Sequence, residues 1–525
     1  MSKLKKRIVS KNMLEKKDSG KIKTEYSIFN LATYLYVVLF LLLYPLMMNN
    51  KYFDITRTKY NCFVYLAIGY LVVAVISIVI DKTMGNRIIF ERISTLFWLM
   101  LFTLSNIISF VVADSKALAF TGKNGRFMGL GIYIIIALVF FMLSIGSKFD
   151  ETILYFFSPS VAIVFVLAIV QHMGIDVLSL KSGINPKQYN IFVSTIGNIN
   201  IFASFVVICI GVFLCLGIFS DRLESKIIGI AIITLSGMAA MISNSDSVYL
   251  GAFSVFFIVF IISYINDLLG EYLKNVIAFA AGTELIVLLN NYIIKSYDKR
   301  GGVARLLDNP KVGTMLILVS IVLYVVYSMI TKHSKDSKEK YNGKEEKNKK
   351  AVIFILCVLL LLVMSMCYIV AKMKNMDIVQ FNYKWGTYRG YIWSKCANTF
   401  TLAPFINKIF GFGQECIKNV VSNPNLEEMK FVTGKVYDNA HNELLQYLIT
   451  IGIFGLISYI GLFVSGITYI LKRAKNNCVA YAMAIACIGY FVQSLINLNQ
   501  PITTPYFFVF MAIGIGCVTN KRRSI

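Results

Sequence analysis

Apolar runs of about 20 residues recur along this chain and constrain its fold more than any other feature. As an α-helix, each run is long enough to cross the ~30 Å hydrocarbon core of a bilayer. Hydrophobic residues make up 57% of the 525 residues and charged residues only 15%, so little polar sequence is left for a soluble domain. The sequence therefore predicts an all-α polytopic membrane protein.

Length and hydropathy predict about 14 transmembrane helices. The spans 129–146 and 227–243 are short, and 275–294 carries an acidic residue, Glu284. One long polar loop precedes the last three helices. The predicted spans are 29–48, 61–80, 93–112, 129–146, 153–171, 200–219, 227–243, 248–266, 275–294, 312–331, 351–371, 444–470, 478–497 and 503–519.

Basic residues concentrate at the N-terminus, in the 332–350 loop and at the C-terminus. Because positively charged loops stay on the cytoplasmic side, both termini are predicted to be cytoplasmic. The net charge of +24 is then explained mainly by topology, and no nucleic acid partner is expected. The predicted units are a cytoplasmic basic tail (1–27), an N-terminal transmembrane bundle (28–371), an extracytoplasmic loop (372–443) and C-terminal transmembrane helices (444–525).

The 372–443 loop is dense in aromatic residues and holds two of the 3 tryptophans. Trp385, Arg389 and Trp393 lie close together in it. Arg389 and Trp393 are four residues apart and would share one helix face. We expect a short helix in the membrane interface, with its rings at the depth of the lipid headgroups, either as an anchor or as part of a site.

His441 stands in a polar turn, Tyr437–Glu443, just before an apolar run, and the chain has only 3 histidines. An imidazole that can take a proton near pH 7 suits proton transfer at a membrane boundary. Taken alone, the turn is more typical of a helix cap, for which Asn442 is well suited.

Several classes of site lack support in the sequence. The sequence contains neither a CxxC motif nor a cluster of His, Cys, Asp and Glu, so no metal site is predicted. It also contains no glycine-rich phosphate loop, so no nucleotide cofactor is predicted. Cys396 and Cys416 share the 372–443 loop, and we expect free thiols there rather than a disulfide.

Four motifs occur in order near the C-terminus: Tyr388–Trp393, Gly411–Gly413, Ala440–Leu445 and Gly452–Leu456. Together they resemble the C-terminal signature of the O-antigen ligase and Wzy-type polysaccharide polymerase superfamily. Upstream, Gly125–Leu130 and Thr195–Asn200 are similar to motifs at the outer edge in that family. The resembling region extends over about 200–465, and Arg389–Gly461 is its specific part.

One position departs from the family pattern. Members often carry a Ser-Arg pair at the outer end of a mid-chain span, where this chain has Ser243–Ser247 with Asp246 in the middle. Either the matching position lies elsewhere in the chain, or Arg126, Arg300 or Arg305 supplies the second phosphate-binding charge. All three arginines lie on outer loops in the predicted topology.

The resemblance implies a helical fold with a cavity open to the outer leaflet, and transfer of a glycan from undecaprenyl diphosphate to an acceptor hydroxyl. Arginine holds phosphate oxygens bidentately, and histidine can take the proton of the hydroxyl. We therefore expect Arg389 to hold the diphosphate and His441 to act as base. Asn442, Glu443 and Trp393 are expected to bind substrate, without a metal or cofactor.

Polymerase and ligase activities are not separated by these motifs. The implied partners are the undecaprenyl-diphosphate-linked donor, a glycan acceptor, the bilayer of the bacterial inner membrane, and a chain-length regulator or flippase. Two other classes stay open: a flippase or other polytopic transporter, and a non-catalytic membrane scaffold. The long loop and the lack of an internal repeat disfavour a transporter.

Overall fold

The computed structural model describes residues 27–84, 94–123, 125–146, 149–294, 307–335, 381–475 and 477–519. The described part is helical apart from a short antiparallel hairpin, β1 (Phe192–Val193) and β2 (Gly197–Asn198). The helices are α1 Ile28–Leu43, α2 Ile55–Thr83, α3 Ser94–Val112, α4 Lys116–Thr121, α5 Leu130–Gly146, α6 Thr152–His172, α7 Ile199–Phe219, α8 Leu223–Ser243, α9 Asp246–Ile265, α10 Leu269–Leu288, α11 Pro310–Lys335, α12 Trp385–Leu402, α13 Phe405–Phe410, α14 Leu426–Thr433, α15 Glu443–Leu471, α16 Cys478–Ser494 and α17 Thr504–Thr519.

The polytopic helical architecture predicted from the sequence is confirmed. Nine described helices are long and apolar enough to cross a membrane, and four shorter apolar helices accompany them: α1, α5, α16 and α17. These thirteen coincide with thirteen of the predicted spans, including the short 129–146 and 227–243. The predicted span 351–371 lies outside the described residues, so the total of fourteen stays a prediction.

The centre of the bundle is formed by α7, α16 and α17. Nearly every side chain of α7 is buried, which agrees with a helix that is apolar all round and has no polar face for solvent. It packs against α8 and α16, while α17 packs against α5 and α16. By contrast, α11 exposes most of its apolar side chains, as expected of a helix facing lipid.

Residues 381–442, between α11 and α15, form a compact unit that we call the outer segment. It has a hydrophobic core of its own, to which α12 contributes Tyr391, Ile392 and Cys396, and to which Cys416 and Met429 also belong. Both cysteines in this core are free thiols, as expected. The predicted helix around Arg389 and Trp393 is present as α12, and its buried face packs into this core.

The outer segment joins the bundle at a break in α15. Gly452 leaves the helical conformation with φ +70° and ψ −174°, which interrupts the intrahelical hydrogen bonds. The backbone N–H of Phe412 donates to the carbonyl of Ile449, and that of Gly413 donates to the carbonyl of Thr450, both at 3.0 Å. Backbone groups at the break therefore find partners in the outer segment, as buried polar groups require.

Two glycines allow this close approach of backbone to backbone. A Cβ at Gly411 would lie 2.2 Å from the carbonyl oxygen of Thr450, and one at Gly452 would lie 2.2 Å from that of Ile409. The two glycine motifs recognised in the sequence, Gly411–Gly413 and Gly452–Leu456, thus pack against each other. Their contact fixes the outer segment on α15, about two and a half helix turns after Glu443, the last residue of the histidine turn.

We predict that Gly452→Ala destabilises the protein more than Gly434→Ala. Both glycines have positive φ, +71° at Gly434 and +70° at Gly452. Gly434, with ψ 4°, lies in the left-handed helical region, which costs alanine about 1–2 kcal/mol, whereas Gly452, with ψ −174°, lies in a region that is essentially restricted to glycine. Nothing lies within 4 Å of a Cβ at Gly434, whereas a Cβ at Gly452 overlaps a carbonyl oxygen. Overpacking should add a further ~1–3 kcal/mol at Gly452. Thermal unfolding of both variants in detergent measures the difference, and equal losses would contradict the docking contact.

Candidate active site

The turn that carries His441 is held by three hydrogen bonds to its backbone and cap. The His441 N–H donates to Asn439 Oδ1 (2.8 Å), and the Ala440 N–H donates to Gln446 Oε1 (3.0 Å). Asn442 is the N-cap of α15 and accepts from the Leu445 N–H (2.9 Å). His441 itself has φ +52°, which removes it from the helix. Asn442 therefore caps the N-terminus of α15, and the His441 imidazole takes no part in capping.

Two aromatic side chains join this turn to α12. Trp393 Nε1 donates to the carbonyl of Ala440 (2.9 Å), and the Tyr437 hydroxyl donates to the carbonyl of Thr387 (3.1 Å). The ring of Tyr437 also stands perpendicular to the His441 imidazole at 5.7 Å. Thr387 belongs to a left-handed run that directly precedes Arg389. These contacts bring the beginning of α12 to the histidine turn.

Arg126 reaches the same turn from the loop before α5. Its Nε and Nη2 donate to Asp438 Oδ1 at 3.2 and 2.8 Å. The buried Glu415 carboxylate accepts from the backbone N–H groups of Arg126 (3.1 Å) and Met128 (3.0 Å). A Cβ at Gly125 would lie 2.2 Å from Glu415 Oε2, so a larger residue there would displace this carboxylate. Glu415 thus fixes the loop that presents Arg126.

Three cationic side chains act on His441. Burial lowers the pKa of the imidazole most, and the charges of Arg389 and Arg126 have the next largest effects. Lys435 lowers the pKa further and Asp438 raises it, and the resulting pKa is about 3. Burial and positive neighbours both penalise the imidazolium form. The near-neutral pKa expected from the sequence is therefore wrong for this site, and His441 is neutral at physiological pH.

Arg389 is only partly satisfied by the protein. Its Nη1 donates to the carbonyl of Gly386 (3.3 Å), while its Nε is buried and has no hydrogen-bond partner within the described residues. Burial lowers its pKa, against the opposing effects of Tyr437 and Asp246. Asp246, at the position where the family pattern has an arginine, thus lies close enough to interact with the charge of Arg389.

One ring nitrogen of His441 also lacks a hydrogen-bond partner within the described residues. This atom, Nδ1, is buried. A buried donor or acceptor without a partner costs about 1–3 kcal/mol, so such atoms are expected where a ligand completes the hydrogen bonds. The Nε of Arg389 and the Nδ1 of His441 are two such atoms in side chains that interact electrostatically.

Glu443 points into the bundle and is fully buried. Its carboxylate accepts from the hydroxyls of Tyr447 (3.1 Å) and Tyr490 (3.5 Å). A chain of hydrogen bonds connects Glu443, through Tyr447, Tyr133 and Asn499, to Asn439 in the histidine turn. Tyr447 and Tyr133 share a hydrogen bond (3.1 Å), Asn499 Nδ2 donates to Tyr133 (2.9 Å), and Asn439 Nδ2 donates to Asn499 (3.3 Å).

The structure brings four of the residues singled out in the sequence to one place: Arg389, Arg126 and Trp393 lie around the turn of His441. Asn442 caps α15 beside them, and Glu443 turns away into the bundle. Arg300 and Arg305 lie outside the described residues. Of the three candidates for the second positive charge, Arg126 is the one observed beside His441.

Sequence reasoning missed Glu415 and Lys435 as members of the site. Glu415 follows the Gly411–Gly413 motif by two residues, and this proximity is the one signal that pointed to it. Lys435 is held by a cation–π contact to Tyr437, with its Nζ 5.0 Å from the ring centroid. Within the described residues, no three His, Cys, Asp or Glu side chains are grouped so that they could hold a metal ion.

The chain is similar in sequence to a known protein family over part of its length. No curated protein matches the chain in sequence. Residues 301–460 match the sequence model of the O-antigen ligase family, Wzy_C, and this stretch contains the outer segment, Arg389, the histidine turn and the broken first half of α15. It falls within the region of about 200–465 in which the resemblance was recognised. This part of the membrane protein is therefore similar to the O-antigen ligase family.

Proposed function

We propose that the protein transfers a glycan from undecaprenyl diphosphate to an acceptor sugar hydroxyl at the outer face of the bacterial inner membrane, as a polysaccharide polymerase or ligase. The observation that carries this proposal is the convergence of Arg389, Arg126 and Lys435 on one neutral histidine. The family match to residues 301–460 supports the same class of enzyme.

An excess of positive charge supports binding of a diphosphate. Arg389, Lys435 and Arg126 bring three positive charges, and Asp246 and Asp438 bring two negative ones. Burial lowers the pKa values of Arg389 and Lys435, which means that their charges are poorly solvated. A diphosphate would compensate these charges and would give the Nε of Arg389 a hydrogen-bond acceptor.

The same charges regulate the base. Burial, together with the charges of Arg389 and Arg126, holds the pKa of His441 at about 3, so the imidazole is neutral but weakly basic. A bound diphosphate would offset Arg389 and Arg126 and would thereby raise the pKa of His441. The base would become effective when the donor is bound, and this limits loss of the donor to water.

In the proposed step, the acceptor oxygen attacks the anomeric carbon of the donor. The carbon–oxygen bond to the diphosphate breaks, and undecaprenyl diphosphate leaves with the bonding electron pair. The proton of the acceptor hydroxyl passes to His441. Arg389 and Arg126 stabilise the negative charge that grows on the leaving oxygen, which is the usual role of cations at a departing phosphate.

We predict that His441 does not titrate between pH 8 and 5. A background with His172→Gln and His333→Gln leaves it as the one histidine, and its ring signals can be followed by NMR in nanodiscs. Arg389→Gln should raise its pKa, yet leave it below 6.5, because burial is the larger cause. Below about pH 6.5 the unfolded chain binds a proton that the folded turn does not, so stability should fall as the pH drops from 6.5 toward 3. A pKa near 6.5 in the background itself would contradict a buried site.

We predict that His441→Asn abolishes transfer while the lipid-linked donor still binds. Asparagine tolerates the left-handed conformation of this position and can form hydrogen bonds, but it cannot take a proton near neutral pH. Activity in reconstituted membranes should fall about 10²–10⁴-fold. His172→Asn is the matched control away from the site. Normal transfer by His441→Asn would rule out His441 as the base. If the unmodified protein moved the lipid-linked glycan across the membrane but transferred none, the result would favour a flippase.

We predict that Arg389→Lys weakens donor use by on the order of 10–100-fold, since lysine keeps the charge but loses the planar pair of donors. The effect should appear in kcat/KM for the lipid-linked donor, with normal expression and membrane insertion. Arg222→Lys makes the same chemical change at an exposed ion pair with Glu151 and should leave activity unchanged. Full activity of Arg389→Lys would reduce Arg389 to a structural residue.

A further inference from the structure

A groove of about 510 Å³ lies between α3 and α15, at the end of α15 that is remote from His441. Trp98 of α3 lines it on one side, and residues from Gly461 to Arg473 line it on the other. A Cβ at Gly461 would lie 2.3 Å from the indole of Trp98, so the absence of a side chain lets the two helices approach here.

The lining of this groove changes in chemical character along its length. Trp98, Gly461 and Val464 make its first part apolar, Thr468 adds a hydroxyl, and Lys472 and Arg473 bring positive charge at the far end. From Gly461 to Arg473 the chain advances about 18 Å along the helix axis. Apolar surface, hydroxyl and cation in this order match an acyl chain, a glycerol ester and a phosphate.

The two cations lack a carboxylate partner in the part of the chain that the structure describes. Arg473 is oriented by a cation–π contact, with its guanidinium carbon 4.0 Å from the centroid of the Tyr469 ring. Positive groups at a membrane surface attract anionic lipid headgroups. An anion supplied by the membrane is therefore the natural complement of this end of the groove.

The groove and the candidate active site lie on opposite faces of the membrane. α15 begins at Glu443, two residues after His441, and ends at Leu471, directly before Lys472. The 19 residues of α15 that follow the break at Gly452 alone advance about 28 Å as a helix, close to the ~30 Å thickness of the hydrocarbon core. A phosphate at Lys472 and Arg473 therefore belongs to the other leaflet, and it is distinct from the diphosphate proposed at Arg389.

We infer that this groove binds an anionic glycerophospholipid of the phosphatidylglycerol class from the leaflet opposite His441. Its phosphate lies between Lys472 and Arg473, and one acyl chain runs past Val464 to Trp98 and Gly461. The bound lipid connects α3 with α15, the helix whose other end carries the histidine turn. The inference does not depend on the proposed transferase activity.

Native mass spectrometry of the full chain, with phosphatidylglycerol and phosphatidylcholine of identical acyl chains, tests the site. Two cations near a membrane surface predict a preference for phosphatidylglycerol on the order of 30-fold. Lys472→Gln combined with Arg473→Gln should remove it. The control is Arg222→Gln with Lys226→Gln, which removes two cations near the same membrane face that already pair with Glu151 and Glu271.

A second variant tests the apolar part of the groove. The Val464 side chain is 53% exposed, so Val464→Trp fills the groove without disturbing the core, and it should weaken lipid binding with both charges intact. Equal binding of the two lipids, or equal loss in the control pair, would overturn the inference. Full displacement of the lipid by inorganic phosphate would also overturn it, and so would unchanged phosphatidylglycerol binding by Val464→Trp. Either result would show that only the phosphate is bound and that no acyl chain occupies the groove.

Discussion

The docking of Gly411–Gly413 into the broken helix at Gly452 is the contact on which the arrangement of the outer segment depends. Breaking a helix inside a membrane protein exposes backbone groups that lipid cannot satisfy. Here the outer segment supplies N–H donors to the carbonyls of Ile449 and Thr450, and the absence of side chains at the glycines permits it. The break and the segment that fills it therefore stabilise each other, and α12 is held above the bundle.

With the outer segment fixed, short hydrogen bonds complete the site. Trp393 and Tyr437 connect α12 to the histidine turn, and Glu415 presents Arg126 from a loop almost three hundred residues earlier in the chain. The result is a poorly solvated group of cations around a neutral imidazole. Such a group is costly without an anion, and this cost is the physical basis for proposing a diphosphate as its ligand.

α15 connects the two faces of the membrane. One end carries the histidine turn with Asn442 as its cap, and the other reaches Lys472 and Arg473 in the groove beside α3. The proposed transfer chemistry at one end and the proposed lipid contact at the other thus involve a single helix. The Glu443 network extends the histidine turn into the bundle, so the position of His441 is coupled to the packing of α15 against α16 through Tyr447 and Tyr490.

Hydropathy alone determined the helical architecture, because a bilayer accepts few structures and the length of each span follows from its thickness. The motifs also singled out Arg389 and His441 and made Arg126 one of three candidates, since short residue patterns can be read directly from the linear sequence. Only the tertiary structure decided that Arg126 lies beside His441 and that Glu415 positions it. It also decided that Asn442 caps α15, that Glu443 is buried, and that the pKa of His441 is lowered. Burial and charge at a residue depend on side chains distant in sequence, and no local pattern records which of them meet in the fold.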